Sequence, residues 1–201
     1  MIYKSQKIAY YYFVVALLLF GLAGIAYAAI PSPPGTPLST QLSSFSARFE
    51  LQTLDGQQVT DASYRGRWLL VYFGYTFCPD VCPTVLIDVG RALNALGPLA
   101  DRVQPVFITV DPARDTASHM GQYLRAFSPR IVGLRGDPKQ LEITAKQFHT
   151  YYRVRNLGNG DYAVDHSSFL YVISPDGHVV KVLPDSLRDQ KLAEELRQLV
   201  Q

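Results

Sequence analysis

Cysteine is scarce in this chain, which has only Cys78 and Cys82 among its 201 residues. Two cysteines cannot build the dense disulfide framework that stabilises many small secreted domains. A disulfide between residues so close in sequence would restrain the unfolded chain only weakly, so a purely structural role explains the pair poorly. The cysteines are therefore candidates for redox chemistry or metal binding.

Charge is also limited: charged residues make up 18 % of the chain and the net charge is +2. There is no basic block and no helix rich in Lys and Arg, so we expect no nucleic-acid partner. The 13 Tyr and 10 Phe fall mostly in strand-like apolar runs. These aromatic residues are expected to form core rather than a base-stacking surface.

Residues 8–30 contain no charged residue. At 1.5 Å per residue such a run can cross a bilayer core of about 30 Å, so 8–30 is predicted to be a transmembrane anchor. Lys4 and Lys7 precede it, and the next basic residue is Arg48. This asymmetry predicts that residues 1–7 lie in the cytoplasm and that the residues after the anchor lie on the other side of the inner membrane.

A cleaved signal peptide is the alternative, because Ala26-Tyr27-Ala28 resembles a signal-peptidase site. The apolar run is longer than the usual core of such a peptide, about 7–15 residues, which favours a retained anchor. Under either interpretation the domain lies on the periplasmic or other extracytoplasmic side, where free thiols need a functional reason.

Residues 31–46 are rich in Pro and Ser and carry no charge, which predicts an extended linker before a domain at 47–201. The domain alternates strand-like and helical patterns. The predicted elements are a hairpin turning at Asp55-Gly56, strands at 68–75, 103–111 and 131–136, helices at 84–97, 116–127 and 138–149, an extended stretch at 151–156, a hairpin at 168–183 and a helix at 189–200. This order predicts an α/β, thioredoxin-like fold with an extra N-terminal hairpin and inserted elements.

The cysteine pair follows a predicted buried strand and precedes a predicted helix. Pro83 suits the first position of that helix, which would place Cys82 at its N-terminus. Unpaired N–H groups and the helix dipole stabilise a thiolate there, and the thiolate is both the nucleophile and the metal ligand. This position alone leaves redox chemistry and metal binding open.

The loop before the penultimate strand of such a fold lies against the cysteines. Redox members usually place a cis-proline there, but residues 163–172 contain no Pro and offer His166 instead. Two thiolates and one imidazole suit Cu(I) and are compatible with Cu(II) or zinc, although structural zinc prefers four ligands. The remaining histidines, His119, His149 and His178, lack this placement and are expected to be structural or solvated.

Several charged residues near these motifs have open roles. Asp80 is a candidate for supporting the site or for a turn, and Asp165 for orienting the neighbouring imidazole or bonding nearby backbone. Asp111 and Asp115 are predicted to form a turn and a helix cap. Arg114 is predicted to form a surface salt bridge, with binding of a partner as the alternative.

Three stretches together, GYTFCPDVCP at 74–83, VDPARDT at 110–116 and VDHSSFLYVISPDG at 164–177, make the chain resemble the Sco/SenC family of membrane-anchored copper proteins. The resemblance implies that Cys78, Cys82 and His166 are copper ligands. It also maps the acidic residues of the family onto Asp80 and Asp165.

The resemblance implies a factor for cytochrome c oxidase assembly that binds one copper, Cu(I) or Cu(II), per chain. Its partner would be the oxidase subunit that carries the dinuclear copper centre, with other copper carriers or thiol reductants as further candidates. Family members are regarded as copper donors, as reductants of the target's cysteines, or as both, rather than primarily as enzymes. The alternative is a membrane-anchored thiol–disulfide oxidoreductase or a thiol peroxidase, since Thr76-Phe77-Cys78-Pro79 faintly resembles a peroxidase nucleophile.

Overall fold

A computed structural model describes Ser46 and residues 48–201. The predicted anchor at 8–30 and nearly all of the predicted linker lie outside the described residues. Within the described part of the chain, no helix combines the length and apolar character that crossing a membrane requires.

The domain begins with short strands and then alternates strands with helices, as the sequence predicts. Its strands are β1 (Glu50–Thr53), β2 (Gln58–Thr60), β3 (Trp68–Gly74), β4 (Val103–Thr109), β5 (Val132–Arg135), β6 (Tyr152–Gly158), β7 (Asp161–His166), β8 (Phe169–Ile173) and β9 (Val179–Pro184). Its α-helices are α1 (Val81–Leu96), α2 (Ala117–Arg125), α3 (Pro138–Gln147) and α4 (Asp189–Val200), and 3-10 helices occupy Asp61–Tyr64 and Gly97–Arg102.

Seven strands form one sheet in the order β2-β1-β5-β4-β3-β8-β9. β3 lies beside β4 in parallel and beside β8 in antiparallel orientation. Every residue from Leu69 to Gly74 is buried, which confirms the prediction of a strand covered on both faces. The β1–β2 hairpin pairs with β5, so the predicted extra N-terminal hairpin extends the sheet. The predicted α/β, thioredoxin-like arrangement is therefore confirmed for the domain.

β6 and β7 form a separate two-stranded antiparallel sheet, the β6–β7 ribbon. We expected His166 in a loop, but it is the last residue of β7 and pairs with Tyr152. Alternation along β7 puts Tyr162, Val164 and His166 on one face. Val164 on that face is buried, whereas most of β6 is exposed.

The structure corrects two helix starts. α1 begins at Val81, so Pro83 is its third residue, where the missing N–H still costs no intrahelical bond. The cap of α2 is Thr116, whose side chain accepts from the His119 N–H, and not Asp115 as predicted. Asp115 cannot serve as the cap because its side chain is fully buried beneath the cysteine loop.

Candidate metal centre

Cys78, Cys82 and His166 converge at one end of the sheet. Their candidate ligand atoms, two sulfurs and one imidazole nitrogen, all lie within 4.8 Å of one another. Cys78 lies in the loop after β3, Cys82 in the first turn of α1 and His166 at the end of β7. The fold thus brings together Cys82 and His166, which are 84 positions apart in sequence.

The orientation of the His166 ring is set by its own strand end. Its Nδ1 lies 3.0 Å from the Ser167 carbonyl oxygen. Because a carbonyl oxygen can only accept, Nδ1 must carry the proton, which leaves a lone pair on Nε2. Nε2 lies 3.4 Å from the Cys82 sulfur. The imidazole therefore presents its basic nitrogen to the cysteine pair.

The two cysteines differ in exposure and in acidity. Cys82 is completely buried, whereas Cys78 is half-buried, and neither forms a disulfide. The hydrogen bond from the Cys82 thiol, together with the backbone N–H groups of Asp80 and Cys82, holds the pKa of Cys78 far below its ordinary value, against its burial. The hydrogen bond to Cys78, and then burial, raise the pKa of Cys82. Both shifts favour a thiolate at Cys78 and a thiol at Cys82 in the metal-free state.

Two residues of β3 shape the space around the Cys82 sulfur. The Tyr72 hydroxyl lies 3.8 Å from this sulfur and 3.0 Å from the Ser168 hydroxyl. A Cβ at Gly74 would lie 3.0 Å from the same sulfur and 2.9 Å from the Phe107 ring. Any residue other than glycine would therefore force the sulfur or the ring to move. Sequence reasoning missed both residues because they read as part of an apolar strand.

Asp115 anchors the loop that carries Cys78. Its carboxylate accepts hydrogen bonds from the Thr76 N–H at 3.1 Å, from the Thr109 hydroxyl at 2.6 Å and from the Thr76 hydroxyl. Burial raises the pKa of Asp115, whereas the hydrogen bonds from Thr109 and Thr76 lower it. This residue therefore ties the start of the cysteine loop to the end of β4.

The structure places Asp80 and Asp165 away from direct contact with the imidazole. Asp80 occupies the N-cap of α1, but its side chain makes no capping hydrogen bond. Its backbone N–H, rather than its carboxylate, forms a hydrogen bond with the Cys78 sulfur. The Asp165 carboxylate accepts from Arg155 at 3.1 Å. Neighbouring residues of a strand point to opposite faces, so Asp165 faces away from His166 and the Ser167 carbonyl orients the ring instead.

Arg114 forms a salt bridge as predicted, but it is half-buried and its partner, Asp111, is buried. Its Nε lies 2.5 Å from the carboxylate of buried Asp111. Its guanidinium carbon lies 4.9 Å from the centre of the Phe77 ring, immediately before Cys78 in sequence. Phe77 is half-exposed and stacks on His119, so this histidine lies beside the cysteine loop.

The exposure difference predicts the order of thiol modification. In the reduced, metal-free protein at about pH 6, iodoacetamide should label Cys78 first, because its exposure and its lowered pKa favour a reactive thiolate. An ordinary thiol with a pKa of about 8.5 is mostly protonated at this pH and reacts slowly. Peptide mass spectrometry would follow both sites over time. A Cys78→Ser variant should show almost no labelling under the same conditions. Faster labelling of Cys82 would contradict the assigned asymmetry.

Comparison with known proteins places this geometry in a family. The SCO1/SenC family model matches residues 38–201. The mitochondrial SCO1 homolog 1 of Arabidopsis thaliana is 38 % identical over 156 residues, covering 75 % of this chain and 46 % of the relative. The SCO2-like protein RP587 of Rickettsia prowazekii is 34 % identical over 176 residues, covering 84 % of this chain and 86 % of that protein.

A solved structure shows the same fold. Bradyrhizobium japonicum ScoI with copper bound superimposes with a TM-score of 0.71 at 37 % identity, covering 77 % of this chain and 98 % of that chain. The chain spans about half the length of several curated eukaryotic relatives that it matches. The fold also brings the histidine beside the cysteine pair. Because the family model matches residues 38–201, this chain belongs to the SCO1/SenC family.

Proposed function

We propose that this protein is a copper-binding assembly factor that delivers copper to the dinuclear centre of a respiratory cytochrome c oxidase. One ion would be held by Cys78, Cys82 and His166. The observation that carries the proposal is the convergence of two sulfurs and one imidazole nitrogen within 4.8 Å. Soft thiolates with an imidazole suit Cu(I) and accept Cu(II). The Bradyrhizobium relative, solved with copper bound, supports the choice of metal.

The exposure of the ligands suits transfer by ligand exchange. Cys78 is half-buried at the surface, whereas Cys82 lies in the core. A partner thiolate would therefore replace Cys78 first and Cys82 last. Each incoming thiolate displaces one outgoing thiolate, so Cu(I) changes ligands without a change in oxidation state. Retaining Cys82 and His166 during the first exchange keeps the ion bound.

Reduction of the partner's cysteines is a second candidate function, favoured by the lowered pKa of Cys78. The Cys78 thiolate would attack a disulfide of the partner and form a mixed disulfide. The Cys82 sulfur would then displace the partner, losing its proton and leaving a Cys78–Cys82 disulfide. Two electrons pass to the partner, whose two sulfurs leave reduced. A thiol peroxidase is a further alternative, and sustained turnover of peroxide would identify it.

Replacing His166 should separate the two oxidation states of copper. His166→Ala is expected to weaken Cu(II) binding by about two orders of magnitude, since altering even an outer partner of a ligand costs about 10–100-fold. Cu(I) binding should fall less, because both soft sulfurs remain. Competition titrations measure both affinities. His178→Ala, at a half-exposed position in another hairpin, is the control. Unchanged Cu(II) affinity in His166→Ala would exclude this ligand assignment.

Mixing experiments should distinguish the donor from the reductant. The copper-loaded protein is incubated with the apo subunit fragment that carries the dinuclear site, and copper and free thiols are counted on each partner. A donor moves copper while its own thiols stay reduced. A reductant acquires a disulfide as the partner gains two thiols. Copper retention with no thiol change on either side would argue against both functions.

We further propose that residues 8–30 anchor the protein in the inner membrane with the domain on the extracytoplasmic side. The uncharged run and the preceding Lys4 and Lys7 support this orientation.

A reporter enzyme that requires disulfides, fused after Gln201, should be active in the full-length protein because such bonds form outside the cytoplasm. Deleting residues 8–30 should abolish that activity. Reporter activity that persists without these residues would contradict the proposed anchor.

A further inference from the structure

Arg114 contacts the loop that carries Cys78 and the strand that carries His166. Its guanidinium carbon lies 3.7 Å from the centre of the Tyr162 ring, on the strand that ends at His166. The same carbon lies 4.9 Å from the centre of the Phe77 ring, next to Cys78. One side chain therefore lies between the cysteine loop and the histidine strand.

Arg114 is held in this place by hydrogen bonds that join it, Asp111 and Tyr162 in a ring. Its Nη1 donates to the Tyr162 carbonyl oxygen at 2.9 Å, and its Nε donates to Asp111 at 2.5 Å. The Tyr162 hydroxyl donates to the other oxygen of Asp111 at 2.8 Å. Asp111 itself is buried, so these partners take the place of water around its carboxylate. We call Asp111, Arg114 and Tyr162 the Arg114 clasp.

The clasp acts on the strand face that carries His166. Tyr162 and His166 share the inward face of β7 and lie about 13 Å apart, at about 3.3 Å per residue. Buried Val164 lies between them on that face. Among the described residues, the β6–β7 ribbon shares no strand pairing with the seven-stranded sheet, so contacts such as these hold it to the domain.

We infer that the Arg114 clasp positions His166 against the cysteine pair and so sets how well the site binds Cu(II). This inference rests on the proposed ligand role of His166. Without the clasp the ribbon keeps buried Val164 but loses its contacts through Arg114, so the imidazole should move more easily relative to the sulfurs. The sulfurs stay together, because the loop remains anchored to Asp115 and Cys82 remains in α1. Cu(II) binding, which depends more on the nitrogen, should fall more than Cu(I) binding.

Arg114→Gln in the full-length protein tests the inference. We expect about a tenfold or greater loss of Cu(II) affinity, the scale found for partners that orient metal ligands, with a smaller loss for Cu(I). The Cu(II) electron paramagnetic resonance spectrum should move toward that of His166→Ala as nitrogen coupling is lost. In the metal-free reduced protein, hydrogen–deuterium exchange should accelerate across residues 152–166.

Arg188→Gln is the matched control. Arg188 also pairs with a buried carboxylate, Asp88, at 3.1 Å, but this pair joins α1 to the segment before α4. Its loss should affect overall stability without changing the copper spectrum or exchange in the ribbon. Tyr162→Phe removes only the hydroxyl that binds Asp111 and should act in the same direction as Arg114→Gln, more weakly, which provides a test if Arg114→Gln folds poorly.

The outcomes separate the clasp from the ligand assignment. If His166→Ala changes the Cu(II) spectrum while Arg114→Gln and Tyr162→Phe do not, the positioning role is overturned and the ligand role stands. If His166→Ala leaves the spectrum unchanged, the ligand role and the inference built on it both fail. Equal effects of Arg114→Gln and Arg188→Gln on the Cu(II) spectrum would also overturn the inference, because a loss of stability alone would then explain them.

Discussion

The buried carboxylate of Asp115 is the interaction on which the site depends. Thr76 donates to it from the cysteine loop and Thr109 from the end of β4. A buried carboxylate without these donors would be costly, since even a neutral buried group left unpaired costs about 1–3 kcal/mol. Once the loop is fixed in this way, Cys78 and Phe77 have defined positions from which the rest of the site is assembled.

The two cysteines are the same residue type, but the fold gives them different surroundings. Cys82 is buried in the first turn of α1, where Tyr72 and Gly74 limit how far its sulfur can move. Cys78 lies in a loop and receives the hydrogen bonds that stabilise a thiolate. One sulfur is therefore fixed in the core, and the other is the sulfur that a partner could reach. This division suits both thiol chemistry and metal exchange, which explains why the site alone does not separate the two functions.

The sequence predicted the sheet, its helices and the residues that converge, because these follow from apolar periodicity and from the order of motifs. It did not predict the role of Asp115, since an aspartate before a helix looks like a cap, and its actual partner Thr76 lies 39 positions away. It also missed the β6–β7 ribbon as a unit. β6 is exposed along almost its whole length and so lacks the alternation that marks a half-buried strand. The ligand role of His166 stays a prediction.

In the described part of the chain, no strand pairing joins the β6–β7 ribbon to the main sheet. Local opening of a weakly attached unit requires less free energy than global unfolding. Sequence changes in the ribbon can therefore alter how long the imidazole stays near the sulfurs without changing the melting temperature of the domain. The contacts that hold the ribbon can therefore change during evolution while the strand pairing of the seven-stranded sheet remains the same.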